Sequence, residues 1–289
     1  MSYKPYTTAE WELHLLLRRL DTPKLVELTA EALNHATDAD DDTLHVHVVA
    51  LWDHPEPTVF AAACGWCRGD APIERETGAG VLGLLGAGAE GHPSGYRPFA
   101  APSIELLRSM LDDGDTGVVE SAIFALGNLD ADSAVARFAE LITHPDERIR
   151  YALAVALGRL HTPVVTELLI ELSADPVAKV RDWATFGLGN IGDQDSVEIR
   201  DALWARIDDP DYDTRSEARV GLAKRQDTLI VEVLLKTFRA EDPVVGMMDL
   251  EAATELAHPD LHDDLVALRT WWDVDDRLLE EAIAACSRP

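Results

Sequence analysis

The sequence predicts an all-α protein, a right-handed α-solenoid of helix-turn-helix repeats, and three observations predict it. A pattern recurs: "IERETGAGVLGLLG" at 73–86 (more weakly), "GVVESAIFALGNLD" at 117–130, "RIRYALAVALGRLH" at 148–161, "KVRDWATFGLGNIGD" at 179–193 and "DTRSEARVGLAKRQD" at 213–227. Its landmarks are regularly spaced. Gly127, Gly158 and Gly189 recur every 31 residues, while Arg150, Arg181 and Arg215 are 31 and 34 apart, a period that means stacked supersecondary units instead of one closed core. The 289 residues are 47% hydrophobic and only 6% aromatic, so burial rests on Leu, Ala and Val, as in helical arrays. Period-two alternation is confined to "LHVHVV" at 44–49, and "LHVHVVALW" fits a helix as well.

Taken in order, residues 1–43 are expected to form N-terminal capping helices and 44–86 degenerate repeats. An inserted loop at 87–98 follows from the Gly and Pro content of "GAGAEGHPSGYRP". Regular repeats then run over 99–240 and C-terminal capping repeats over 241–289, all in a single solenoid, 1–289. Each regular unit opens with a short apolar helix, "VARFAELITH", "VTELLIELSA" or "IRDALWARIDD". A second helix follows, in which Val180, Ala184, Gly187, Leu188 and Ile191 keep the 3.6-residue spacing of one buried stripe. His144-Pro145, Asp175-Pro176 and Asp209-Pro210 are expected to open second helices, since proline suits the first turn and aspartate caps free amides.

The consensus Asp-Pro-x-x-x-Val-Arg-x-x-Ala-x-x-x-Leu-Gly-x-Ile-Gly resembles the HEAT-repeat family, most closely its bacterial version. The resemblance implies that the Asp and Arg, Arg181 included, form hydrogen bonds that tie one repeat to the next. The likeness covers about residues 45–289, with the Arg-Asp-Trp-Ala run at 181–184 its most specific piece. It extends to bacterial HEAT-repeat immunity proteins that accompany Rhs-type polymorphic toxins. Phycobilin lyases share related repeats, but the groove residues named below match no lyase motif.

Charge narrows the function. Asp and Glu total 53 against 25 Lys and Arg, a formal net charge of −28, which repels phosphate backbones. Nucleic acid is therefore not an expected partner. Two ordinary sources of acidity stand beside a functional one: many aspartates cap helices, as in "DDPDYD" at 208–213, and an acidic proteome would give the same excess. The functional source is a basic partner steered by the field. No run of eighteen apolar residues occurs, and "MSYKPYTTAEWELH" lacks the form of a signal peptide. The expectation is a soluble, cytoplasmic chain without membrane partners.

Groups able to carry chemistry are few. Cys64 and Cys67 have redox spacing in "CGWC" but follow an apolar helical run, where the dipole disfavours a thiolate, so both are expected to be packing cysteines. Cys286 completes no zinc set. His45 and His47 point to different faces of a helix, and His54, His92, His144 and His258, each before a proline, look like loop or cap residues. No phosphate loop, nucleophile elbow or outstanding carboxylate pair is found. Catalytic residues, metal and cofactors are expected to be absent.

The remaining candidate is a surface. If Val180, Ala184, Leu188 and Ile191 face inward, Asp182, Thr185 and Phe186 lie opposite, with Trp183 and Asn190 on the flank. Equivalent columns read Glu76, Glu120, Tyr151, Asp182, Ser216 and Asn128, Arg159, Asn190, Lys224, and by the resemblance such second helices line a concave groove. The expected partner-binding set is Glu76, Glu120, Tyr151, Asp182, Trp183, Thr185, Asn190 and Arg219. Trp183 replaces Thr77, Ser121, Ala152 and Glu217 of the other repeats, either as a partner anchor or as packing between helices. The predicted function is a non-enzymatic protein-binding solenoid, most specifically an immunity protein neutralising a basic toxin domain; the alternatives are a generic scaffold or a lyase-like enzyme.

Overall fold

The computed structural model describes residues 7–36, 42–93, 95–160, 162–190, 194–240, 245–272 and 276–287. Among them the chain is helical throughout, with no strand. The odd-numbered helices are α1 (Thr8–Leu17), α3 (Asp42–Trp52), α5 (Pro72–Leu84), α7 (Thr116–Asn128), α9 (Glu147–Leu157), α11 (Ala178–Asn190), α13 (Tyr212–Lys224), α15 (Met247–Leu256) and α17 (Asp276–Ala285). Between them in sequence come α2 (Thr22–His35), α4 (Pro57–Trp66), α6 (Ala100–Met110), α8 (Val135–Leu141), α10 (Pro163–Leu172), α12 (Val197–Trp204), α14 (Ile230–Phe238) and α16 (His262–Leu268). The ambiguous "LHVHVVALW" is therefore helical. Buried leucines on both of its sides, Leu44 and Leu51 with Val46 and Val48 between them, explain why its pattern shows no clean helical stripe.

The chain divides into two compact units, Met1–Ala156 and Leu157–Pro289. In the first, α1 packs on α3, α3 on α5 and α5 on α7, with α2, α4 and α6 against the row. Its core holds Leu25, Leu44, Leu51, Leu82, Leu107, Ile123, Leu126 and Phe138. In the second, α11 packs on α13, α13 on α15 and α15 on α17, with α10, α12 and α16 against that row. Leu169, Val180, Leu188, Leu203, Leu222, Leu234 and Leu265 fill it. Each row is close because its recurrent glycines leave no side chain at the crossing. A Cβ on Gly127 would stand 2.8 Å from Ala156 Cα, and one on Gly221 would stand 2.9 Å from Gly189 Cα.

The arginine of the repeat performs two tasks. Its guanidinium reaches back to the turn before its own helix: Arg75 donates to the carbonyls of Gly69 and Asp70, Arg150 to those of His144 and Pro145, Arg181 to those of Asp175 and Pro176, and Arg215 to those of Asp209 and Pro210. It also reaches forward to the next repeat. Arg75 pairs with Asp113, and Arg181 makes a two-pronged pair with Asp209, Nε at 2.9 Å and Nη2 at 2.7 Å. The tie implied by the resemblance is thus present. Burial works against the Asp209 carboxylate, yet the hydrogen bonds from Arg181 and from the Asp211 amide hold it below the usual carboxylate range.

The opening dipeptides sit elsewhere than expected. Pro176 and Pro210 precede their helices by two residues instead of occupying the first turn. The carboxylates of Asp175 and Asp209 accept from the amides of Val177 and Asp211, making a turn ahead of the helix, and Asp211 is the residue that caps α13. The Asp209 carboxylate, not used as the helix cap, takes Arg181 of the preceding repeat. Proline does occupy the first turn of α4, α5 and α10. His144 and His258 act as turn caps, accepting from the amides of Asp146 and Asp260.

The expected insertion lies between α5 and α6 and is helix-free among its described residues; Ser94 falls outside them. It is anchored at one end by the Gly86 amide donating to the Trp52 carbonyl at 2.8 Å, and at the other by Phe99 stacked on Phe60 with centroids 4.5 Å apart. Ile191, the last residue of the expected buried stripe, and His161 lie outside the described residues. Of the two cysteines of "CGWC", both expected to be buried, Cys64 is only half-buried and Cys67, the C-cap of α4, is buried. Burial and the neighbouring Cys64 push its thiol up to about 12.

Candidate functional site

In the first unit Glu76 and Glu120 are half-buried on α5 and α7. Tyr151 on α9 is only 9% exposed, set edge-on to Phe124 with centroids 6.0 Å apart. Its ring packs along the row of helices instead of standing clear as an anchor.

In the second unit the expected set divides. Asp182 and Trp183 are half-buried and Asn190 is exposed. Trp183 meets Phe186 edge to face at 5.7 Å, and Phe186 remains 40% exposed. Thr185 and Arg219 do not belong to this surface. Thr185 is fully buried and its hydroxyl donates to the Arg181 carbonyl at 2.7 Å, while Arg219 is buried in an ion pair, Nη1 to Asp249 Oδ1 at 2.7 Å. Ser216, placed in the exposed column, is buried too. The reason is geometric. A helix packed on several others has a buried arc wider than one stripe; on α11, which meets α10, α12 and α13, it takes in Val180, Arg181, Ala184, Thr185, Gly187, Leu188 and Gly189. Only a narrow ridge is left to solvent.

That ridge continues onto α13 and α15, and of the residues it carries there the sequence singled out only Lys224, as an exposed column residue, and Glu217, as a counterpart of Trp183. On α13 it carries Asp213, Glu217 and Lys224, and on α15 Met247, Glu251 and Glu255. Lys224 Nζ donates to Asn190 Oδ1 at 2.9 Å and lies 3.6 Å from a Glu251 carboxylate oxygen. Partial burial, then the charges of Asp213 and Asp211, push the Asp182 carboxyl up to about 6. Partial burial, then Asp182 and Glu251, push Glu217 up to about 7. The charge of Asp182 thus acts on Glu217, although no carboxylate pair stood out in the sequence. Asp182 and Glu217 are remote in the chain, and Glu217 entered the sequence comparison only as the counterpart of Trp183.

Such a face can do two things. It can receive cations, and its raised carboxyls can exchange protons near neutral pH. Among the described residues no group of three or more His, Cys, Asp or Glu side chains is arranged to hold a metal ion, and no helix is long and apolar enough to cross a membrane.

Two rows of helices tied by a buried arginine and aspartate define a helical-repeat protein, and sequence comparison agrees on the type of repeat. Residues 104–189 match the family described as HEAT repeats, and 180–199 match the PBS lyase HEAT-like repeat. Protein YibA of Escherichia coli is 32% identical over 143 residues, covering 48% of this chain and 49% of YibA, so the matched stretch spans about half the length of that relative. The crystal structure of YibA superposes with a TM-score of 0.73 at 23% identity, covering 99% of this chain and 100% of that one. The phycocyanin lyase complex of CpcE and CpcF from Nostoc sp. PCC7120 gives 0.50 at 17% identity, with 78% and 94% covered. At these identities the structural likeness concerns the fold alone.

Proposed function

We propose that the protein is a non-enzymatic binding protein that receives a basic protein partner on acidic helix faces, and that it is an immunity protein whose partner is a toxin domain. The observation that carries the binding reading is the ridge of α11, α13 and α15, which carries Asp182, Asp213, Glu217 and Glu251 with one lysine, Lys224, engaged by Asn190 and Glu251, beside a partly exposed aromatic pair. Carboxylates at such a rim set the association rate and its salt dependence, while the rings supply apolar contact. The choice of a toxin as partner rests on the resemblance of the repeats to immunity proteins, and cytoplasmic residence is part of the same proposal.

The test is co-expression with the C-terminal domain of a repeat-containing toxin encoded beside this gene. Protection of the host is expected, with loss of protection when Asp182, Glu217 and Glu251 are together reversed to lysine. Reversal of Glu76 and Glu120 examines the counterpart face of the first unit. Full protection by the triple reversal would remove the ridge from consideration.

A second reading is favoured by one observation, the raised carboxyls of Asp182 and Glu217, which suit a general acid. Turnover of a small substrate that is lost in Asp182→Asn and Glu217→Gln would establish it.

A further inference from the structure

Three large apolar side chains stand exposed on one helix of the first unit. On α1, Trp11 is 51%, Leu15 38% and Leu16 62% exposed. The helix packs mainly on α3, and its buried residues, His14 and Leu17, leave the opposite side to solvent. At 100° per residue Thr8, Glu12, Leu15 and Arg19 follow one line down that side, with Trp11 and Leu16 on its two flanks. Helix α17 offers a contrast. Its exposed positions carry Arg277, Glu280, Glu281 and Ala284, as a solvated face should, whereas an apolar face of the α1 kind marks a contact surface.

The charges on α1 indicate what covers it. Glu10 and Glu12 are balanced by Arg18 and Arg19 in a chain whose net charge is −28. Glu10 is engaged locally, its carboxylate accepting from the Thr7 amide at 2.6 Å, and Arg18 pairs with Asp53 at 2.6 Å. Glu12 and Arg19 are left exposed on the line of Leu15. The Arg19 amide donates to the Leu16 carbonyl at 3.1 Å, which continues the turn of the helix beyond its cap.

We propose that a second copy of this chain docks on α1, the two α1 helices meeting antiparallel about a two-fold axis at Leu15 and Leu16. Glu12 and Arg19 then lie equally far from the axis, about 5 Å along the helix on either side, so Glu12 of each copy faces Arg19 of the other and the pair is made twice. Trp11 of each copy covers the last turn of the opposite α1. Elsewhere two such acidic chains repel; the balanced helix lets them approach. One short helix from each copy is less than a standard interface of about 1,600 Å², so the dimer is reversible and concentration-dependent. The inference is independent of the ridge on α11, α13 and α15.

The experiment is sedimentation velocity on the full chain, from micromolar to near-millimolar concentration at moderate salt. A monomer–dimer equilibrium is expected. Glu12→Arg and Arg19→Glu should each weaken it on the order of tenfold, because each change acts twice across the axis. Mixing those two variants should restore association, since both contacts then join opposite charges again. Leu15→Ser with Leu16→Ser, checked for folding by circular dichroism, should abolish the dimer, whereas Val197→Ser, which removes an exposed apolar side chain from α12, should leave it unchanged. A chain that stays monomeric throughout, or a dimer that survives the double serine variant, overturns the proposal. Mixed charge variants that associate no better than either one alone overturn the antiparallel pairing.

Discussion

Truncating Arg181 to alanine should destabilise the second unit by about 3 kcal/mol, the low end of the range for breaking a buried ion pair. The side chain is 11% exposed and that of Asp209 only 3%. Alanine removes both prongs to Asp209 and also the donor to the carbonyls of Asp175 and Pro176, at 3.0 and 3.2 Å. Asp209 is not left entirely bare, because the Asp211 amide at 3.0 Å and Arg206 Nη1 at 3.4 Å remain, which is why the low end applies. Arg148 provides the comparison. It pairs with Asp146 but its side chain is 56% exposed, so Arg148→Ala should cost under about 1 kcal/mol. Urea titration of both variants gives the difference, and amide exchange should locate the loss in α11 and α13. Arg181→Met combined with Asp209→Leu should recover much of the stability, since no unpaired charge is left buried. If Arg181→Ala proves no more harmful than Arg148→Ala, yet abolishes partner binding, the structural role assigned to Arg181 is wrong.

Three other outcomes are expected. Burial holds His14 and His47 below the ordinary histidine value, with Arg18 adding to the effect at His14 against Asp53; both are therefore favoured as neutral side chains, and their contribution, complete above about pH 6.5, should be lost as pH falls through their lowered folded values. Amide-exchange protection in α1 and α3, corrected for the slower intrinsic exchange at lower pH, should fall between pH 7 and 5, and unchanged protection would reject this. Burial raises Cys64 and Cys67, so both should label slowly with a thiol reagent at neutral pH until the protein is unfolded; prompt labelling or a cycling disulfide would restore the redox reading of "CGWC". Gly127→Ala should cost about 1–3 kcal/mol by overpacking against Ala156, whereas Gly80→Ala on α5, where an added Cβ meets nothing within 4 Å, should be neutral or gain up to about 1 kcal/mol, a contrast that thermal unfolding resolves.

What the sequence alone determined is whatever repeats. Helix period, helix order and the inserted loop are local properties, and the recurrence of Arg181 with its equivalents announced a structural tie because one chemical task is performed in several copies. Even its partner type was legible, although the turn geometry that leaves Asp209 available ahead of the α13 cap was not. Exposure was the weaker inference. A helical wheel assigns one buried stripe, and by that rule Thr185 and Ser216 faced solvent; packing of α11 and α13 on several helices at once buried them, and Arg219 was drawn into its pair with Asp249. Only the tertiary structure could set Asp182 and Glu251 toward Glu217 from the two helices that flank α13, because that depends on how closely α11, α13 and α15 pack at crossings such as that of Gly189 and Gly221. Charge adds over distance in space and not along the chain, so the proton affinity of that ridge belongs to the packed helices together.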